Sequence, residues 1–146
     1  MAIEEPDAAD LLLRVSRRLL RRVGDRLAPL GVTQAQVRAL RALDREHRPV
    51  RMGLLAERLD VVPRSATSLI DALAAAGLVR READPDDRRA VAVSLTPEGR
   101  RTLVAVRRVR RQVADELLAP LDRDQRAALR SLLEAVAASG PARAGP

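Results

Sequence analysis

Residues 55–99, LAERLDVVPRSATSLIDALAAAGLVRREADPDDRRAVAVSLTPEG, restrict the fold more than any other stretch of the chain. Residues 53–59 read as a short helix, followed by a turn. Pro63 suits the first position of a second helix, where its missing amide proton has no intrahelical role. That helix is expected to run to Ala76, with Gly77 supplying a left-handed stop. Residues 79–83 and 90–95 read as two strands, the second alternating Val91, Val93 and Leu95 with Ala92 and Ser94. Between them, Asp84-Pro85-Asp86-Asp87 is turn chemistry and Arg88-Arg89 make the loop basic.

The flanking segments are helical. Leu12, Val15, Leu19, Val23 and Leu27 recur at spacings of three and four, with arginines on the other faces, until Pro29 and Gly31 break the pattern. Thr33 and Gln36 form a capping-box pair, opening a helix with Val37, Leu40 and Leu43 on one face that is expected to end near His47. Val50-Arg51 reads as a short strand. Thr96-Pro97-Glu98 opens a long helix to about Ala119, striped by Leu103, Val106, Val109, Val113, Leu117 and Leu118. Asp122 and Gln125 repeat the capping-box spacing before a last helix to about Ala138, with Leu129, Leu132, Leu133 and Val136 expected to face inward. The chain has no Phe, Tyr or Trp, so its core is built from Leu, Val and Ala, which favours helix-on-helix packing.

The expected fold is therefore mainly α with a small β-wing. A winged helix-turn-helix over residues 30–96 is flanked by long terminal helices, 8–28 and 97–138, in one domain with a flexible tail over 139–146. The apolar stripes of the terminal helices suit either a core within the chain or an interlocked homodimer. A dimer would present two recognition helices at the spacing a palindromic DNA site requires.

The formal net charge is +7, and all 27 basic residues are Arg, a balance that favours polyanions. The absence of cysteine excludes disulfides and cysteine-based zinc sites. The sequence contains no apolar run of membrane-spanning length and no signal peptide, so a cytoplasmic protein with no membrane partner is expected. His47 stands beside Asp44 and Glu46 without a second His or Cys, which argues against a metal ligand. No nucleophile-and-base arrangement or glycine-rich phosphate loop appears, so neither catalysis nor a cofactor is expected.

The ordered set of motifs resembles the MarR-type (multiple antibiotic resistance regulator) family over about residues 8–138. The resemblance is carried by Leu30-Gly31-Val32-Thr33, by Leu55-Ala56-Glu57-Arg58-Leu59, and by Pro63, Thr67, Leu69, Asp71 and Leu73 closing with Gly77-Leu78-Val79. It ends with Asp84-Pro85-Asp86-Asp87-Arg88-Arg89 running into Val93-Ser94-Leu95-Thr96-Pro97-Glu98-Gly99, the most specific motif. The resemblance implies a homodimeric regulator, usually a repressor, on pseudo-palindromic double-stranded DNA. In many relatives a small acid in a cleft between the dimer helices and the winged module releases the DNA. The chain departs from the pattern at Asp60 in the turn, Val62 in place of a Ser cap, and Ser68 where a basic residue is common.

On such a fold the helix over residues 63–76 enters the major groove. Arg64 can donate two bonds to a guanine, while Ser65, Thr67 and Ser68 offer hydroxyls to base edges or phosphates. The competing reading of the two serines is a solvated helix surface. Ala66, Leu69, Ile70 and Leu73 fall at core spacing. At the wing tip the resemblance favours Arg89 for insertion into a narrow minor groove, beside Arg88, with Asp87 orienting an arginine. Arg80 and Arg81 are phosphate contacts on the same reading. The alternative function is a winged-helix protein-interaction module with weakened DNA recognition, compatible with Val62 and Ser68.

Overall fold

Among residues 7–139, which the computed structural model describes, six α-helices and three strands follow one another. Apart from Asp7 and Ser139, the frayed start expected over residues 1–7 and the tail expected over 139–146 lie outside the described residues. The elements are α1 (Ala8–Leu27), α2 (Gln34–Asp44), β1 (Val50–Arg51), α3 (Met52–Leu59), α4 (Pro63–Ala75), β2 (Val79–Ala83), β3 (Val91–Leu95), α5 (Pro97–Leu117) and α6 (Arg123–Ala138). This is the winged-helix arrangement with long helices at both ends.

Local chemistry accounts for most boundaries. α1 runs into a 3-10 turn, Ala28–Leu30, which stops at Gly31 with φ of 68°. Thr33 and Gln36 close the α2 capping box at 3.2 and 2.8 Å, and Asp122 and Gln125 close that of α6 at 2.8 and 3.0 Å. α2 ends at Asp44, short of His47, because the chain turns where the Glu46 amide donates to the Leu43 carbonyl. α5 likewise stops at Leu117, before Pro120.

The core forms where α2, α3, α4 and the sheet pack together, with α5 laid against α2 and β3 and α1 against α5. Leu27, Val37, Leu40, Leu55, Ile70, Leu73, Val93, Leu103, Val106 and Val113 are fully enclosed. Ala66, Ile70 and Leu73 are buried and Leu69 is partly so, as their spacing requires. The sheet order is β1-β3-β2, all antiparallel, pairing Val50 with Val93 and Val79 with Leu95.

The alternation expected in β3 fails at its outer end, where Val91 is exposed and Ala92 is buried. Ala92 lies opposite Arg51 on one side and Glu82 on the other, and long side chains flanking a methyl group can cover it. The terminal helices differ more. Leu12 and Val15 of α1 are exposed, and no residue of α6 is buried. Leu132, Leu133 and Val136 point away from this chain's core instead of into it, Leu132 with 66% of its surface open.

Candidate nucleic-acid interface

The turn between α3 and α4 is built from backbone bonds. Asp60 adopts the left-handed conformation with φ of 55°, and the Val61 amide reaches the Ala56 carbonyl at 3.1 Å. Asp tolerates that region better than most residues with a side chain. Arg38 of α2 donates to the Leu59 carbonyl at 2.8 Å, pinning the end of α3 from outside the motif. α4 then opens on Pro63 without a side-chain cap, because Val62 in the capping position has no acceptor to offer.

The structure brings Arg64, Ser65, Thr67 and Ser68 to the exposed part of α4, opposite the buried Ala66, Ile70 and Leu73. Arg64 forms no ion pair among the described residues, which leaves its guanidinium available for a planar acceptor. The Thr67 hydroxyl is already engaged, donating to the Pro63 carbonyl at 3.0 Å. In place of a hydroxyl donor, Thr67 therefore offers chiefly its methyl group.

In the wing, Arg80 donates to Ser94 Oγ at 3.1 Å and pairs with Glu82 at 3.1 Å. Arg81 pairs with Asp71 of α4 at 2.5 Å, tying the hairpin to that helix. Both arginines are exposed yet serve contacts within the chain. Arg88 and Arg89 are exposed at the tip and have no ion-pair partner among the described residues. Asp87 does not orient an arginine side chain here: its Oδ1 accepts the Arg89 backbone amide at 3.0 Å. A two-residue spacing favours that short local turn over a side-chain pair.

The residue with the strongest electrostatic environment is Asp84, only 3% exposed. Arg51 donates to its two oxygens at 2.8 and 3.0 Å, and the amides of Asp86 and Asp87 donate to Oδ1 at 2.8 and 3.0 Å. The bond from Arg51, then the two amides, hold its carboxyl well below the usual aspartate range against the opposing effect of burial. The same bond raises the Arg51 guanidinium. Sequence reading recognised Asp84 only as a turn former, because its partner lies far back in the chain. An aspartate ahead of proline, in a tip with two further aspartates, was the available signal.

At the join of the module to α5, the Thr96 hydroxyl donates to the Gly77 carbonyl at 2.6 Å and accepts the Gly99 amide at 3.0 Å. Gly99 sits so close to the turn after α4 that an added Cβ would lie 2.1 Å from the Leu78 carbonyl oxygen. The Leu-Thr-Pro-Glu-Gly motif is thus a joint between the turn after α4 and the start of α5. No described helix is long and apolar enough to cross a membrane, and no described cluster of His, Cys, Asp and Glu is placed to hold a metal ion.

Residues 30–90 match the model described as MarR family. An HTH-type transcriptional regulator of Mycobacterium tuberculosis is 40% identical over 124 residues, covering 85% of either chain. The chain belongs to the MarR family. It is an HTH-type, DNA-binding transcriptional regulator and not an enzyme. The HTH-type transcriptional repressor MdtR of Bacillus subtilis is 38% identical over 69 residues, 47% of this chain and 44% of its own. Among solved structures, apo MarR from E. coli superposes with a TM-score of 0.81 at 28% identity, over 91% of this chain and 98% of that one. The Mycobacterium tuberculosis MarR-family protein Rv2887 in complex with DNA gives 0.75 at 27% identity, over 90% and 98%. Rv2887 has also been solved with salicylic acid, with a TM-score of 0.71 at 27% identity over 92% and 99%.

Proposed function

We propose that this regulator is a homodimeric repressor of a pseudo-palindromic operator, released by a small organic anion. The observation that carries the reading is the pairing of an exposed, unpartnered Arg64 on α4 with unpartnered Arg88 and Arg89 on the wing. Arg64 reads a guanine in the major groove, with Ser65, Ser68 and the Thr67 methyl beside it. Arg89 enters the minor groove, flanked by Arg88 and shaped by Asp87. Arg80 and Arg81 lie where a phosphate competes for their present partners.

The exposed leucines of α1 and the open apolar face of α6 support pairing of two chains through their terminal helices. Repression is supported by the name of MdtR, and an anionic effector by the salicylic acid complex of Rv2887. Within this chain, Arg110 of α5 is partly buried, and that burial, then the charge of Arg41 on α2, lowers its guanidinium. A carboxylate between the helices and the module relieves both costs.

Fluorescence anisotropy with a duplex from upstream of its own gene tests the reading. The wild-type protein binds with an affinity that falls as salt rises, and Arg64→Ala costs about 1–3 kcal/mol and relaxes one position of each half-site. Arg89→Ala weakens all sequences and lowers the salt slope by about one. A folded dimer that ignores DNA at modest salt overturns the repressor reading and leaves the interaction module, which the uncapped start of α4 at Val62 favours.

A further inference from the structure

The wing tip presents an electrostatic difficulty. Residues 84–89 carry three aspartates against two arginines, so the isolated segment would repel a phosphate backbone. Two arginines from the opposite side of the sheet reverse that balance. Arg51 grips Asp84 with two bonds, at 2.8 and 3.0 Å, and Arg48 pairs with Asp86. Asp87 turns onto the Arg89 amide. Every acid at the tip therefore has a partner within the protein, while Arg88 and Arg89 have no ion-pair partner among the described residues.

The same carboxylate sets the shape of the loop. Asp84 Oδ1 takes the amides of both Asp86 and Asp87, and the Asp84 amide donates to the Ala90 carbonyl at 2.9 Å. Ala90 returns a bond to the Asp87 carbonyl at 2.9 Å, closing the turn around Arg88 and Arg89. Arg51 stands in the capping position of α3, so its grip joins the wing directly to the first helix of the reading motif. A buried carboxylate with four donors is a rigid fixture, since breaking any one bond leaves charge unsolvated.

We propose that Asp84, held by Arg51, is a positioning residue for DNA binding: it sets the turn that presents Arg88 and Arg89 and fixes the wing to the helix-turn-helix. This rests on the reading that Arg89 contacts DNA. Asp84→Asn is the informative variant, because it keeps the shape but replaces one accepting oxygen with a donor that faces Arg51.

Two measurements on the full chain decide it. In amide hydrogen exchange without DNA, Asp84→Asn speeds exchange at Asp86, Asp87 and Arg89 by about tenfold or more, with α4 unchanged. Wing amides as protected as wild type, or an equal rise throughout α4, overturn the proposal. In anisotropy with the duplex from upstream of its own gene, Asp84→Asn weakens binding about tenfold, retains that loss beside Arg64→Ala, and adds less than about twofold to Arg89→Ala. Losses that add fully with Arg89→Ala overturn it, because a merely destabilised fold would weaken every background alike. A wild-type protein that ignores this duplex overturns the DNA reading and this proposal together; wild-type binding with additive losses overturns this proposal alone.

Discussion

The winged module and the terminal helices are built from the same Leu, Val, Ala and Arg, yet they are finished differently. In the module, apolar side chains of α2, α3, α4 and the sheet close on each other, and the buried charge of Asp84 is fully bonded. α6 carries an equally regular apolar stripe and buries none of it, and the first half of α1 leaves Leu11, Leu12, Leu13 and Val15 exposed. Periodicity marks a face that wants cover. It does not say whether the cover comes from the same chain.

Breaking the core of the module carries the largest expected effect. Leu73→Ala removes a fully enclosed side chain and costs about 2–5 kcal/mol, measured by chemical denaturation. Placing charge on the open stripe of α6, as Leu132→Glu with Val136→Glu, leaves the helical signal intact but weakens the proposed dimer by about 100-fold or more in sedimentation. Unchanged association would locate the dimer contact elsewhere. Val62→Ser sharpens the comparison from the other side. It supplies the missing cap of α4 and adds about 1 kcal/mol to the stability of the module in denaturant unfolding.

The smallest effect is one of pH. The Asp84 carboxyl lies below its ordinary value, so the stability it contributes is complete above the unfolded aspartate value of about 3.9 and is lost only as pH falls through the lowered one. Acidifying from about pH 7 to about pH 5 therefore leaves Asp84 ionised and the wing turn intact, which the carboxyl carbon shift of Asp84 in NMR reports. A midpoint within that interval would contradict the geometry.

What was legible in the sequence was local. Pro63, Gly77 and both capping boxes act within four residues of themselves, and the structure places each element they announce within a few residues of expectation. The winged-helix fold followed from their order. The exposed set on α4 was legible for the same reason, since a helix fixes which residues share a face. The clamp between Arg51 and Asp84 was not, because it joins positions 33 residues apart whose pairing depends on the β1-β3-β2 sheet order. Nor was the engagement of Arg81 with Asp71 or of Arg38 with Leu59, because a chain with 27 arginines does not say which of them reaches a given acceptor. The burial of Ala92, which lies in register between Arg51 and Glu82, departs from its own strand's alternation.

The joint at Thr96 and Gly99 makes α5 a lever. Its 21 residues span about 30 Å at about 1.5 Å each, and at its base it is locked against the turn that closes α4. A tilt of about 10° over that length moves one end by about 5 Å, more than the rise of a base pair, about 3.4 Å. In the dimer proposed above, a small angular change of α5 would thus shift the distance between the two copies of α4 by more than one base-pair step.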